Sequence, residues 1–385
     1  MKKEDEKKEK GRKPLPAKVV NLLLARSCGR CQYEGCNEDL TKDILTKRNY
    51  NIAYIAHIIA AEPKGPRGDA VLSPKLCQDF ENLMLMCDKH HRLIDKIDVA
   101  GHPVDKLVSM KRNHESLMER LTNFKSKKET EILLFGANIG KQSMPLTYDN
   151  AHETIIDSHY PASQYGIHLG LSNNGVLDHR KEFWLMEQAS LTVNFDTKIK
   201  QQRESGVIKH LSVFGLAPQP LLMLLGSLLG DIHHTEVYQL HREPKTWRWL
   251  DEEDTLVYEI KRPATIYTKI ALKIALSGNI TDDRIENVLG NDCSIWTFTV
   301  NNPHNDLIRN KEHLERFRQQ IRLLMNEIKT VHGQDNIIHV FPAMPISTAI
   351  ELGRVRMPKA DLPMLIYDQN YQNPNLGFYE TIKIE

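Results

Sequence analysis

The chain has 385 residues, enough for two or three domains, and its 41% apolar and 26% charged content is that of a water-soluble globular protein. The longest apolar run, within residues 220–230, is too short to cross a membrane, and the charged start of the chain lacks the apolar core of a secretion signal. The net charge of +1 hides an asymmetry: residues 1–130 hold 26 Lys/Arg against 19 Asp/Glu (+7), and the rest hold 25 against 31 (−6), so the front suits a polyanion and the back argues against general nucleic-acid binding.

Residues 1–14, almost all Lys, Glu, Asp and Arg up to Pro14, read as a charged, solvated tail. Residues 17–27 form a short amphipathic pattern that predicts a helix. It leads into Cys31-x4-Cys36, a close cysteine pair with Gly35 at the turn, and Cys87-x2-His90 supplies a second pair. Two close pairs of soft or borderline ligands are what a tetrahedral structural zinc needs. Cys28 competes for the first pair, because Cys28-x2-Cys31 is also an allowed spacing. Five of the six cysteines precede residue 90, which fits metal binding in a reducing cytoplasm better than a disulfide framework. Tyr54–Ile59 reads as a strand from which His57 projects, and residues 65–69 read as a turn-rich loop whose Arg67 either touches a phosphate or is solvated.

The run 81–95 is the densest chemistry in the chain, with Asn82, Cys87, His90, His91 and Asp95. Adjacent histidines on a helical turn point about 100° apart, so His90 can close the zinc while His91 faces a different site. His91 and Asp95 are spaced i, i+4 and share a face. The order His57, Asn82, His91 with a zinc knuckle around it resembles the HNH endonucleases over roughly residues 25–100. That resemblance implies a small ββα-metal nuclease domain, placed at residues 15–125. In it His57 is the general base, Asn82 orients the loop and the base, and His91 holds a Mg²⁺ or similar divalent ion on the scissile phosphate. Ala56 stands where many members of that family carry Asp or His, which leaves Asp69, Asp79 and Asp95 as unranked candidates for the rest of the metal shell.

A helical pattern over 104–121 follows, and the polar stretch 124–130 marks the domain boundary. Beyond it, Glu131–Ala137 reads as a buried strand, and 210–226 as strand, Pro-marked loop, helix. A second copy of that unit appears at 339–353, matching at Val, Phe, Pro, Leu and Gly, with earlier strands at Ile132–Phe135 and Ile295–Phe298 and an amphipathic helix over 311–330 before it. Such units favour a parallel sheet with ligand at the carboxyl ends of the strands, where loops 215–220 and 342–347 lie.

The runs HLSVFGLAPQPLLMLLGSLLGD, VYQLHREPKTWRWL, FPAMPISTAIELGRV and MLIYD resemble the SAVED sensor domain, over residues 130–385. That resemblance implies an α/β architecture of two fused CARF-like, Rossmann-like halves that bind a cyclic di- or trinucleotide. With an HNH module in front, the chain resembles the effector nucleases of bacterial cyclic-oligonucleotide antiphage signalling (CBASS). Those are cytoplasmic, need no membrane, and cut double-stranded DNA once the ligand drives a homo-oligomer, a dimer or higher. Tyr238, Trp247, Trp249 and Tyr367 can stack on bases, and His241, Arg242, Lys245 and Arg354 can pair with phosphate, although two tryptophans in a W-x-W strand share one side and commonly belong to the core. Two rival readings are an unregulated restriction-type nuclease whose back half reads DNA, and a non-catalytic, zinc-stabilised DNA-binding protein.

Overall fold

The computed structural model describes residues 14–42, 46, 48–49, 51–122, 128–139, 146–171, 175–231, 234–252, 256–369 and 377–385. The charged tail 1–13 and the boundary stretch 124–127 lie outside the described residues. The chain separates into two compact units, residues 1–125 and 126–385.

The first unit contains α1 (Ala17–Ser27), β1 (Tyr54–His57), α2 (Leu72–Leu76), β2 (Leu83–Met86), α3 (Asp88–Arg92) and α4 (Val104–Thr122). β1 and β2 pair antiparallel, with His57 opposite Leu83. β2 is buried at all four positions and centres a small core with Leu23, Ile58, Ile94 and Leu107. α1 ends because Cys28 adopts a left-handed conformation (φ 52°) whose N–H caps the last turn. Gly35 has φ +77°, which gives the Cys31–Cys36 turn the backbone it requires.

The second unit begins with β3 (Glu129–Gly136), α5 (Tyr148–Ile155), β4 (Tyr160–Pro161), β5 (Ile167–Leu169), α6 (Lys181–Phe195) and α7 (Gln201–Glu204). β6 (Leu211–Leu216), α8 (Gln219–Leu229) and β7 (Thr235–Val237) complete its first half. The second half holds β8 (Tyr258–Lys261), β9 (Lys269–Ala275), α9 (Asp282–Leu289), β10 (Cys293–Val300) and α10 (Lys311–His332). It ends with β11 (Ile338–Ala343), α11 (Ile346–Val355), β12 (Met364–Gln369) and β13 (Phe378–Ile384).

One sheet runs β4-β3-β6-β7, all parallel, with β5 also on β3; the other runs β13-β12-β11-β9-β10-β8, parallel within and closed by antiparallel β8 and β13. The predicted repeat is visible as β6–α8 against β11–α11. Both earlier strands are present, as β3 and β10; β3 pairs with β6, whereas β9 lies between β10 and β11. α8 is apolar on every side and buried, as a helix enclosed by protein must be. α11 is buried from Ser347 to Val355 despite Ser347, Thr348, Glu351 and Arg354. Those polar groups are satisfied internally: Ser347 Oγ donates to Gln239 Oε1 (2.7 Å), Thr348 Oγ1 to Pro345 O (2.7 Å), and Arg354 Nη1 to Glu351 Oε1 (2.6 Å).

The two helices cross at matched glycines of the repeat. A Cβ on Gly226 would lie 1.9 Å from Ile350 O, and one on Gly353 would lie 2.0 Å from Met223 O. Only glycine lets the backbones approach this closely. The crossing places α8 against β12 and β13 and α11 against β6 and β7, so each half's helix packs on the other half's sheet.

Candidate functional site

In the first unit, Cys31, Cys36, Cys87 and His90 each offer one ligand atom within 4.8 Å of the others. Cys31 Sγ is 3.8 Å from Cys87 Sγ and 3.7 Å from His90 Nδ1, and Cys87 Sγ is 3.2 Å from His90 Nδ1. A tetrahedral zinc with Zn–S of ~2.3 Å and Zn–N of ~2.1 Å spaces its ligands about 3.5–3.8 Å apart, so donor set and spacing fit that ion. Burial pushes the Cys31 thiol up to about 12 and raises that of Cys87. The His90 ring stacks on Tyr33 (centroids 4.1 Å apart), and Tyr33 Oη lies 3.0 Å from His102 Nε2. Cys28 is outside the cluster, exposed, with its thiol turned to Ala25 O.

His57 ends β1 and is half-buried. Its Nε2 is 3.0 Å from Cys77 O, so the Nε2–H tautomer donates there and Nδ1 is the basic nitrogen. Asn82 is buried and faces Ile59: its Oδ1 accepts from Ile59 N (2.8 Å), and its Nδ2 donates to Ile59 O (2.8 Å) and Leu76 O (3.2 Å). This carboxamide therefore fixes the loop that leaves His57. His91 turns away from the cysteines, as its place beside His90 on α3 predicts; its ring stacks on Tyr54 and its Nε2 is 3.4 Å from Asp95 Oδ2.

Of the three candidate carboxylates, Asp69 caps the turn into α2, accepting from Val71 N and Leu72 N, and these bonds hold its carboxyl below the ordinary range. Asp79 caps the turn at 80–82. Asp95 alone accompanies His91. Arg67 follows neither expectation. Its side chain is only 6% exposed and donates to Ile58 O, Ile94 O, His57 O and Asp95 Oδ1, which joins the end of β1 to the helix bearing His91.

In the second unit, a cleft of about 960 Å³ opens at the carboxyl ends of β6 and β11, lined by both Pro-marked loops, Leu216–Gln219 and Met344–Ile346. One wall carries His241, Arg242 and Lys245; another carries Asp178, Asp368 and Tyr379; Gln219, Gln239, Ser277 and Asn305 add hydrogen-bonding groups. Burial, with Asp178 nearby, pushes the Asp368 carboxyl up to about 7. Cationic and acidic walls facing one volume suit a ligand that is both anionic and rich in hydrogen-bond donors.

Of the eight residues expected to bind ligand, His241, Arg242 and Lys245 line the cleft and five do not. Tyr238 is buried and stacks on Phe214, Trp247 packs edge-on to the same ring, and Trp249 lies beside Tyr238. Arg354 is 2% exposed and spends its guanidinium on Glu351 and on the carbonyls of Gly230 and Thr235. Tyr367 is buried against Phe341. Its neighbour Asp368 faces the cleft instead, because successive strand residues point to opposite faces. The carboxyl end of that strand was the signal that could have found it.

The family model for the SMODS-associated and fused to various effectors sensor domain (SAVED) matches residues 192–384. No curated protein matches the sequence. Among solved structures, the Acinetobacter baumannii Cap4 SAVED/CARF-domain containing receptor with the cyclic trinucleotide 2'3'3'-cAAA is similar at 13% identity and TM-score 0.43, covering 73% of this chain and 55% of that one. The same receptor with 3'3'3'-cAAA gives 12% identity and TM-score 0.44, covering 73% and 62%. The Moraxella osloensis Cap4 receptor gives 11% and 0.38, covering 75% and 63%. This chain thus spans 55–63% of the length of these receptors.

Proposed function

Because this chain belongs to the SAVED family of sensor domains, we propose that its second unit is a receptor for a cyclic di- or trinucleotide and that its first unit is the effector the receptor controls, a metal-dependent endonuclease of the HNH type that cuts double-stranded DNA in antiphage defence. The observation that carries the sensor reading is the cleft between the β6 and β11 strand ends, with Arg242 and Lys245 for phosphates and Asp178, Asp368 and the glutamines for base edges. The acidic balance of residues 131–385 speaks against direct reading of DNA by that unit.

What supports the effector reading is the gathering of His57, Asn82 and His91 around one short hairpin beside a Cys3His cluster. Cys31, Cys36, Cys87 and His90 would hold a structural zinc. His91, with Asp95 beside it, would hold a Mg²⁺ or similar divalent ion, whose charge would stabilise the scissile phosphate. His57 Nδ1 takes the proton of the attacking water, its Nε2–H anchored on Cys77 O. Asn82 keeps the loop after His57 in place. Control across two units requires a coupling free energy between sites. Ligand-driven homo-oligomerisation supplies it most simply, since one such site cuts one strand and two must meet to cut a duplex.

The test is plasmid cleavage with Mg²⁺ against a panel of cyclic di- and trinucleotides. One ligand is expected to switch cleavage on, His57→Ala to abolish it, and Arg242→Ala/Lys245→Ala to shift the activating concentration upward. Cleavage at full rate without ligand removes the sensor reading. Cleavage unchanged in His57→Ala removes the base.

A further inference from the structure

We propose that His159, His210 and Glu236 form a second metal-binding centre in this protein, for a borderline divalent cation of the zinc class. His159 directly precedes β4, His210 directly precedes β6, and Glu236 is the middle residue of β7. One ligand atom from each lies within 4.8 Å of the others, and this group and the Cys3His cluster are the two such gatherings among the described residues. The centre sits at the amino ends of the parallel strands, the end of the sheet away from the cleft. The proposal does not depend on the nuclease or sensor readings.

The surroundings are those of a ligand set. The His159 and His210 rings stack at 4.4 Å between centroids. His210 Nδ1 lies 2.8 Å from Thr130 Oγ1, which lies 2.9 Å from Ser212 Oγ. With His210 donating from Nδ1 to Thr130 Oγ1, the Nε2 lone pair is left for an ion, the device by which outer partners orient metal-bound histidines. Glu236 divides its oxygens: Oε1 meets Lys311 Nζ, and Oε2 is 3.9 Å from His159 Nδ1. Lys311 is about half exposed (47%) and can withdraw to solvent as a cation takes its place. Burial holds both imidazoles below the ordinary histidine value, His210 at about 4, which favours the neutral form a metal requires. Two imidazoles and one carboxylate suit zinc and its neighbours rather than magnesium or calcium. All three ligands are partly exposed, so an ion and a completing water have a path in. An ion there would join β4, β6 and β7.

The untagged full-length protein, equilibrated with ZnCl₂ and desalted, is expected to carry two zinc per chain by elemental analysis. Cys36→Ser and His159→Ala/His210→Ala should each lower this to one, and their combination to none. A zinc content that His159→Ala/His210→Ala leaves unchanged from the parent overturns the proposal. Should the histidine variant misfold, Glu236→Gln preserves size and shape. It is expected to weaken zinc binding in the Cys36→Ser background at least tenfold in a chelator competition, and an unchanged affinity overturns the centre. Co²⁺ added to Cys36→Ser should give weak visible bands without the near-ultraviolet thiolate-to-cobalt band; no visible bands would also overturn it.

Discussion

The α8–α11 crossing can be loaded with a single methyl group. In Gly353→Ala the new Cβ would stand 2.0 Å from Met223 O and 2.7 Å from Ser227 N, both backbone atoms that no side-chain rotation can remove. Ordinary contact would need the helices to part by roughly 1.4 Å, and a gap of 0.5–1 Å already forfeits a quarter to a half of each dispersion contact along the seam. Every residue of α11 from Ser347 to Val355 is buried, so the loss spreads along its length. Overpacking of this kind costs about 1–3 kcal/mol and occasionally more. We expect about 3 kcal/mol, equivalent to a Tm lower by roughly 6–12 °C for a unit of this size. All four tryptophans (184, 247, 249 and 296) lie in the second unit, so tryptophan fluorescence during denaturation reports that unit alone. Gly136→Ala is the control, because a Cβ there meets no atom within 4 Å. A midpoint for Gly353→Ala no lower than that of Gly136→Ala would refute the reasoning.

Asn82→Ala leaves the N–H and C=O of Ile59 unpaired, and an unpaired buried polar group costs about 1–3 kcal/mol; faster amide exchange across 54–59 and at least a tenfold loss of cleavage are expected. Asp368 has a folded pKa raised by burial from 3.8 to about 7. Its contribution to stability is therefore full below about pH 4 and is lost as pH rises through 7, on the order of 4 kcal/mol in all. Asp368→Asn should unfold at higher denaturant than the parent at pH 8 and converge with it near pH 4, read by tryptophan fluorescence. Cys36→Ser removes one member of the Cys3His cluster, so amide protection over 31–36 and 83–92 should collapse while the tryptophan midpoint holds.

The sequence made local features legible and left tertiary choices hidden. α1 and α4 fall where the apolar spacing put them, and the divergence of His90 and His91 follows from helical geometry alone. Whether Cys28 or Cys31 joins Cys36 was not legible, because it is decided by a left-handed residue closing α1, which turns the Cys28 thiol outward. The position of β9 between β10 and β11 is a pairing choice that strand patterns do not encode. The cleft was legible as a place, the carboxyl ends of two repeated strands, but poorly as a residue set. Aromatic and cationic side chains read as ligand contacts, Tyr238, Trp247, Tyr367 and Arg354, are packed or ion-paired inside. Beside His241, Arg242 and Lys245, which the sequence did offer, the cleft is walled by carboxylates and amides that no composition signal marks.

The Asn82 carboxamide exchanges two hydrogen bonds with Ile59, the same pair of bonds that two facing residues exchange in an antiparallel ladder. Before it, Ile58 N donates to Asn82 O, so the ladder of β1 and β2 runs on past its last backbone pair and ends in a rung made by a side chain. A free two-stranded ribbon of four residues would fray from its tips, and His57 holds the last position of one. The added rung turns that tip into an interior position. His57 is thereby held by chain on both sides, and its ring keeps its bearing without a third strand to brace it.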